Sequence, residues 1–285
     1  MNNKQPSLLI IGCGDLGTRL GIKMANESWQ VYGARRNISQ LPNAISGIGL
    51  DLYQENLPIN WPQHHLDYIV YCVAPSKAEH NQYYDLYYKG LQNTLNWLQQ
   101  CQQVPKRLFV ISSTAVYAQN DGQWLDENSP TTPDNVQGKT MLAMEQLALQ
   151  SNLASTCVRL SGIYGPNRTY LINQAKQGVH YPDQPPLYAN RIHIEDAANL
   201  IQQLIQYQQT GNILNNYYIG VDDNPAPIQE TLAWIRNKLN ITELADEYSE
   251  RRVGSKRLSN KLAKTTGWTP YYASYQEGYS KLLDN

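Results

Sequence analysis

The chain has 285 residues, enough for one large domain or two lobes with an ample core. Its net charge of −1 provides no basic excess to hold nucleic acid or an anionic membrane surface. With 41% apolar and 16% charged residues, the composition is that of a globular protein rather than a disordered one.

In chain order, "SLLII" (7–11), "WQVYGA" (29–34), "YIVYCV" (68–73), "RLFVIS" (107–112) and "STCVRL" (155–160) read as strands, rich in Val and Ile and too short for helices. They are apolar nearly throughout rather than alternating, which suits parallel strands covered on both faces. Helical patterns at 16–26, about 77–103 and 137–150 separate them. This alternation predicts an α/β fold: a right-handed, doubly wound parallel sheet with a small C-terminal α/β lobe. Further on, "AANLIQQLIQ" (197–206) reads as a helix capped by Asp196, "NNYYIGV" (215–221) as a strand and "PIQETLAWIRNKLN" (227–240) as a helix. Pro and Gly cluster at 178–186, which suggests a loop crossing between lobes.

"LLIIGCGDLGTRLG" places Gly12, Gly14 and Gly17 as G-x-G-x-x-G directly after the first strand, where it opens a helix. Gly12 permits the tight turn, Gly14 lets the backbone approach a pyrophosphate, and Gly17 lets helix and strand pack closely. The helix start at Asp15 and Leu16 would then face the phosphates of a dinucleotide in a Rossmann domain. An NAD site usually ends the second strand with Asp or Glu on the ribose 2′-OH. Here the strand ends "GARRN", and Arg35 and Arg36 could clamp a 2′-phosphate, so NADP is expected rather than NAD. Asp51 and Leu52, after a third strand, would lie beside the adenine. Val73, Ala74, Pro75, Ser112 and Leu160 complete the expected cofactor-binding set. The expected division is an NADP-binding domain over 1–165, completed by about 190–222, and a substrate-binding lobe made of 166–189 and 223–285.

At these residues the chain resembles the extended short-chain dehydrogenase/reductase family, the NAD(P)-dependent epimerases and dehydratases. "RLFVISSTAVYA" is similar to the family's strand ending in Ser/Thr followed by a Val-Tyr pair, which implies Ser113 as the catalytic Ser. "DENSPTTP" resembles the stretch before the active-site helix, "VRLSGIYGPNR" the Arg-x-x-x-x-Tyr-Gly-Pro segment, and "NRIHIEDAANLI" the His-x-x-Asp helix entry. "GSKRLSN…GWTPYYASYQEGY" resembles the C-terminal end of a bacterial atypical subgroup, the YeeZ-type proteins. The resemblance also implies a homodimer, packed through the helices near 77–103 and 137–150.

Two departures stand out. The glycine pattern is the compact form, one residue shorter than the family's usual one. Alignment through Glu145 puts Gln137 where the family has its catalytic Tyr and Met141 where it has the Lys. In the family the phenol passes a proton to or from the substrate, while the Lys lowers its pKa and bonds the nicotinamide ribose. A spacing of four places both on one helix face. Neither Gln nor Met carries a proton at neutral pH. Lys139 is no simple substitute, because two residues along a helix turn a side chain about 200° away.

Other candidate proton carriers are Tyr117 and Tyr164, on loops at strand ends, and His193, although each reads more readily as a core residue. The Ser113 hydroxyl serves either a substrate or its own strand-end turn. Gln137 and Arg191 are the substrate-binding candidates, Arg191 as donor to an anionic group. "RRVGSKR" reads either as a solvated basic face or as a phosphate contact. No stretch approaches the roughly 18 apolar residues of a membrane span, and the start lacks the apolar run of a signal peptide. Cys13, Cys72, Cys101 and Cys157 are scattered, with no C-x-x-C, so they are expected to be reduced thiols in a cytoplasmic protein without a metal site. His64 and His65, in "WPQHHLD", read as part of a solvated loop. Two functions follow: an NADP-dependent oxidoreductase or epimerase-like enzyme acting on a polar, phosphorylated or nucleotide-sugar-like small molecule bound between lobes, or a non-catalytic NADP-binding sensor or scaffold.

Overall fold

A computed structural model of the chain describes residues 5–75, 82–249 and 254–284. Seven strands form the central sheet: β1 (Ser7–Ile11), β2 (Gln30–Arg35), β3 (Ser46–Gly49), β4 (Tyr68–Tyr71), β5 (Arg107–Ser113), β7 (Ser155–Leu160) and β10 (Tyr217–Gly220). Their order is β10–β7–β5–β4–β1–β2–β3, and the pairs β2–β3, β1–β2, β1–β4 and β4–β5 run parallel. β1, β4 and β7 are buried at every residue, as expected of strands covered on both faces. The chain winds outward from β1 in both directions. The winding reverses between β1 and β4, which is where such sheets open a ligand crevice at their carboxyl ends.

Helices α1 (Asp15–Asn26), α2 (Gly90–Gln100), α3 (Val136–Gln150) and α5 (Ile194–Gln209) flank the sheet. α1 turns Leu16, Leu20 and Met24 inward, one residue per turn on a single stripe. α3 starts at an N-cap, where Asn135 Oδ1 accepts from Gly138 N at 2.7 Å. In the described part of the long helical pattern at 77–103, a π-helical turn (Asp85–Lys89) runs into α2. α5 begins three residues earlier than its sequence pattern, so Asp196 lies in the first turn rather than at the cap. Its carboxylate instead accepts from Tyr271 N at 2.7 Å and Tyr272 N at 3.0 Å.

The chain divides into two compact units. Unit 1 comprises Met1–Val116, Thr131–Arg159 and Ile201–Tyr218; unit 2 comprises Tyr117–Pro130, Leu160–Leu200 and Ile219–Asn285. The Gly/Pro cluster at 178–186 lies wholly within unit 2 and does not cross between lobes. Unit 2 adds the short strands β6 (Trp124–Leu125), β8 (Gly162–Tyr164), β9 (Arg191–His193) and β11 (Arg257–Leu258). Its helices include α4 (Tyr170–Lys176), α6 (Ile228–Lys238), α7 (Lys261–Lys264) and α8 (Tyr275–Leu283), with a core that gathers Ile172, Leu232, Ile235, Tyr275 and Tyr279.

A buried ion pair fastens α3 to the sheet in unit 1. Arg159 Nε meets Glu145 Oε1 at 2.9 Å and Nη2 meets Oε2 at 2.7 Å, with the side chains only 2% and 0% exposed. The Tyr217 ring covers the guanidinium, 4.1 Å from centroid to carbon. Removing one partner strands the other charge in the interior. Glu145→Ala should therefore lose about 3–5 kcal/mol in urea denaturation. A loss below about 1 kcal/mol would show that the pair carries no such weight.

Candidate functional site

At the end of β1 the chain must turn sharply under β4, and Gly12 makes the turn with φ +81°. A Cβ on Gly12 would lie 2.7 Å from the Val73 backbone, and one on Gly17 would lie 2.8 Å from Ile10 Cγ2. Gly14 is different: the nearest atom to a Cβ there is Gly12 O at 3.9 Å, so its face is open. Gly12 and Gly17 are thus crowded by the protein itself, and Gly14 is not. Ala34 O at the end of β2 accepts from both Gly12 N and Cys13 N at 3.0 Å, which pins the loop to the sheet. The N-cap position of α1 is Gly14, and no side chain caps the helix there.

Arg35 is half-buried and partly engaged. Its Nη1 donates to Cys13 O at 3.3 Å and its Nη2 to Gln40 Oε1, so it braces the glycine loop as well as ending β2. Arg36 is exposed. Asp51 accepts from Tyr53 N at 3.1 Å in the turn after β3, and Leu52 is buried behind it. Beyond β4, Val73 is buried, Ala74 exposed and Pro75 half-buried. Buried Cys13 sits inside the glycine motif, and burial pushes its thiol up to about 11, which makes it a packing residue rather than a nucleophile.

At the end of β5, Ser112 is buried and its Oγ has no hydrogen-bond partner. Ser113 Oγ accepts from Ala115 N at 3.2 Å, within the Thr114–Val116 turn. A side chain on Gly138 would collide with Ala115 O and with Pro133. This close approach presses the first turn of α3 onto the turn that follows Ser113. Gln137 and Met141, which the resemblance aligns with the family's Tyr and Lys, then separate. Gln137 is exposed, with its amide open to a ligand, whereas Met141 is 2% exposed and packs inward.

The remaining sequence candidates belong to unit 2. Leu160, at the end of β7, is buried. Tyr117 is 2% exposed and its phenol donates to Asp126 O at 3.0 Å. Tyr164 is buried, stacked on Tyr279 at 4.5 Å and edge-on to His193 at 5.2 Å. His193 Nδ1 accepts from Glu195 N at 3.3 Å, and its ring lies 4.1 Å from that of Tyr272. Arg191 is 3% exposed. Within "RRVGSKR", Arg251, Arg252 and Val253 lie outside the described residues. Lys256 donates to Tyr117 O at 2.7 Å, and Arg257 is stacked between Trp124 and Tyr188, 5.3 and 4.8 Å from their ring centres. Among the described residues no three His, Cys, Asp or Glu side chains converge as metal ligands, and no helix is long and apolar enough to cross a membrane.

Sequence reasoning missed Asp222. It follows β10 and is 2% exposed. Burial raises its carboxyl to about 8, with Arg191 pulling the other way and Asp223 and Asp196 adding to the rise. Its only forewarning was a carboxylate pair, "DD", directly after an apolar strand.

A glycine turn at the switch point of a doubly wound sheet, with an uncapped helix behind it, defines a dinucleotide-binding α/β protein. The model of the NAD dependent epimerase/dehydratase family matches residues 8–220, and the chain belongs to that family. It is similar to the solved structure described as "putative NAD-dependent epimerase/dehydratase" from Methylobacillus flagellatus, with 33% identity, a TM-score of 0.83 and 99% and 98% of the two chains covered. A functionally unknown conserved protein from Silicibacter pomeroyi matches at 22% identity and TM-score 0.71 over 98% of this chain and 99% of that one. A dTDP-glucose 4,6-dehydratase from Bacillus anthracis, solved with NAD, matches at 17% identity and TM-score 0.78 over 99% and 96%. The last two likenesses show the fold alone. No curated protein matches the chain.

Two outcomes follow from this geometry. Gly12→Ala and Gly17→Ala should each lower the thermal midpoint by several degrees, whereas Gly14→Ala should hold it within about 2 °C and still weaken dinucleotide binding at least about tenfold. Three equal losses of stability would refute the distinction. For Asp222, a folded pKa of about 8 above the usual 3.8 means the native state holds a proton that the unfolded chain releases. The penalty is absent in acid, grows as pH rises between those values and is complete above the upper one. Denaturation of Asp222→Asn against the parent across that range should show the variant gaining steadily with pH, then levelling off; a pH-independent difference would contradict this.

Proposed function

We propose that the chain is an NADP-binding oxidoreductase or epimerase-like enzyme of an atypical, YeeZ-type branch of its family. The observation that carries the reading is the open face of Gly14 between two crowded glycines, backed by the uncapped start of α1. NADP rather than NAD is supported by the end of β2, where Arg35 and Arg36 stand and no carboxylate repels a 2′-phosphate. Gly12, Gly14 and Gly17 with the α1 start would hold the pyrophosphate, Arg36 and Arg35 the 2′-phosphate, and Asp51 with Leu52 the adenosine. The nicotinamide supplies hydride chemistry when bound.

The protein's own contribution at the reacting centre is binding more than proton transfer. Gln137 offers its amide and Ser113 its hydroxyl to a substrate oxygen, and neither has an accessible pKa near neutrality. Loss of well-placed acid–base catalysis slows such a site by about 10²–10⁴-fold, so turnover is slow unless another group supplies the proton. The substrate class is a polar small molecule with an anionic group. A second reading, an NADP-holding sensor or scaffold without chemistry, is favoured by the inward packing of Met141 where the family has its Lys.

Calorimetric titration with NADPH and NADH tests the cofactor. NADPH should bind more tightly, each charge-assisted bond to the 2′-phosphate contributing about 1.5–3 kcal/mol. Arg36→Ala should abolish the preference without harming NADH binding. Arg35→Ala should weaken both cofactors, since it also frees the Cys13 carbonyl. Equal affinities in the parent protein would sink the NADP reading. Consumption of bound NADPH with a panel of carbonyl compounds and nucleotide sugars separates the two functions: oxidation that survives Gln137→Ala supports the enzyme, and none with any compound supports the sensor.

A further inference from the structure

Unit 2 buries a positive charge with part of its hydrogen-bonding capacity idle. Arg191 lies on β9, which pairs with β8 in the register Gly162↔Arg191 and Tyr164↔His193. Its Nη1 donates to Ala189 O at 3.2 Å, while Nε and Nη2 have no acceptor in hydrogen-bonding geometry, although the Tyr279 hydroxyl lies close enough for the guanidinium to lower its pKa. Those two nitrogens form one edge of the guanidinium, the edge that takes a carboxylate or phosphate side-on through two parallel bonds.

Two further buried groups within electrostatic reach of Arg191 are idle as well. Asp222 N donates to Arg191 O at 2.8 Å, which seats the two residues side by side. Asp222 Oδ1 accepts from Asn224 N at 3.2 Å, but Oδ2 has no partner. The Tyr164 hydroxyl is buried and unpartnered too. Buried donors and acceptors are nearly always paired, so three unmatched groups that feel one another electrostatically favour a guest that satisfies them together. We propose that Arg191, Asp222 and Tyr164 form an oxyanion site inside unit 2, which takes a carboxylate or phosphate group on the Nε–Nη2 edge of Arg191 with hydroxyl donors from Asp222 and Tyr164.

The site's surroundings set its pH response. Facing Asp222 are Arg191 of β9, Tyr164 of β8, Asp196 of α5, Tyr279 of α8 and the adjacent Asp223, itself paired with Lys264 of α7 at 2.6 Å. Burial outweighs Arg191 and holds the carboxyl protonated up to about pH 8, so near neutrality it donates and does not repel an anion. Above that it ionises, repels the guest and competes for the Arg191 edge. α8 roofs the site: Tyr279 stacks on Tyr164, Tyr275 lies 6.0 Å from the Arg191 guanidinium, and the missing side chain of Gly278 leaves room for the Tyr164 hydroxyl.

The site goes beyond the dinucleotide reading and stands or falls separately. Sulfate and acetate serve as probes, because neither titrates between about pH 6.5 and 9.5. Each is titrated calorimetrically into the protein with and without saturating NADPH, which removes any anion bound at the glycine loop. The parent should take up both anions at about pH 6.5, NADPH present or absent, and lose roughly tenfold or more in affinity by about pH 9.5. Asp222→Asn keeps a donor and gains no charge, so it should bind equally at both pH values. Arg191→Gln should bind at neither; should it fail to fold, the Asp222→Asn comparison decides alone. No uptake by the parent at the lower pH, or a parent-like fall with pH in Asp222→Asn, or parent-like uptake by Arg191→Gln, overturns the proposal. A failure of NADPH to bind leaves these outcomes readable and counts against the cofactor reading instead.

Discussion

Crowding at the end of β1 is the constraint on which the rest of unit 1 depends. Gly12 has the Val73 backbone where a side chain would stand, and Gly17 has Ile10. These two contacts set how closely β1, the end of β4 and α1 approach one another. Ala34 O and the Arg35 guanidinium then tie the same loop to β2. The loop is held from three sides, and the single open face left over is that of Gly14. A rigid turn with an open face at the winding reversal of the sheet suits the proposed seat for a pyrophosphate, because little backbone freedom remains to be lost on binding.

The two units treat buried charge in opposite ways. In unit 1 Arg159 and Glu145 satisfy each other through two bonds beneath the Tyr217 ring, and the pair serves to fasten α3. α3 in turn leaves Gln137 exposed and packs Met141 inward. In unit 2 Arg191 and Asp222 lie side by side without an ion pair, and the carboxyl answers by holding its proton. The paired arrangement is the stabilising one. The unpaired arrangement costs stability, which proteins tolerate mostly where a ligand or a function repays it.

Much of unit 1 was legible in the sequence because its signals are local. Runs such as "SLLII" and "STCVRL" are bounded by turn residues, and the structure places β1 and β7 on those very residues. The glycine loop was legible for the same reason. The long helix was misread in part, since periodicity cannot distinguish a π-helical turn at Asp85–Lys89 from α-helix. The start of α5 was misread because Asp196 resembles a cap, whereas its carboxylate is claimed by two amides some 75 residues away. In unit 2 the periodicity of 227–240 gave α6 (Ile228–Lys238), but little else was legible. Its strands β6, β8, β9 and β11 are two or three residues long, too short to show a period, and its buried polar groups meet only through tertiary contacts. Nothing local to "VDDNP" tells which of two adjacent carboxylates faces Lys264 and which faces Arg191.

The central claim is that the glycine loop seats one dinucleotide per chain. Mass spectrometry of the protein under native conditions, as purified and again after addition of NADP(H), tests it most directly. The account predicts one bound dinucleotide per chain, retained through purification or taken up on addition, and lost in Gly14→Ala while the fold persists. A protein that carries none and takes up none, with its fold intact, would contradict it.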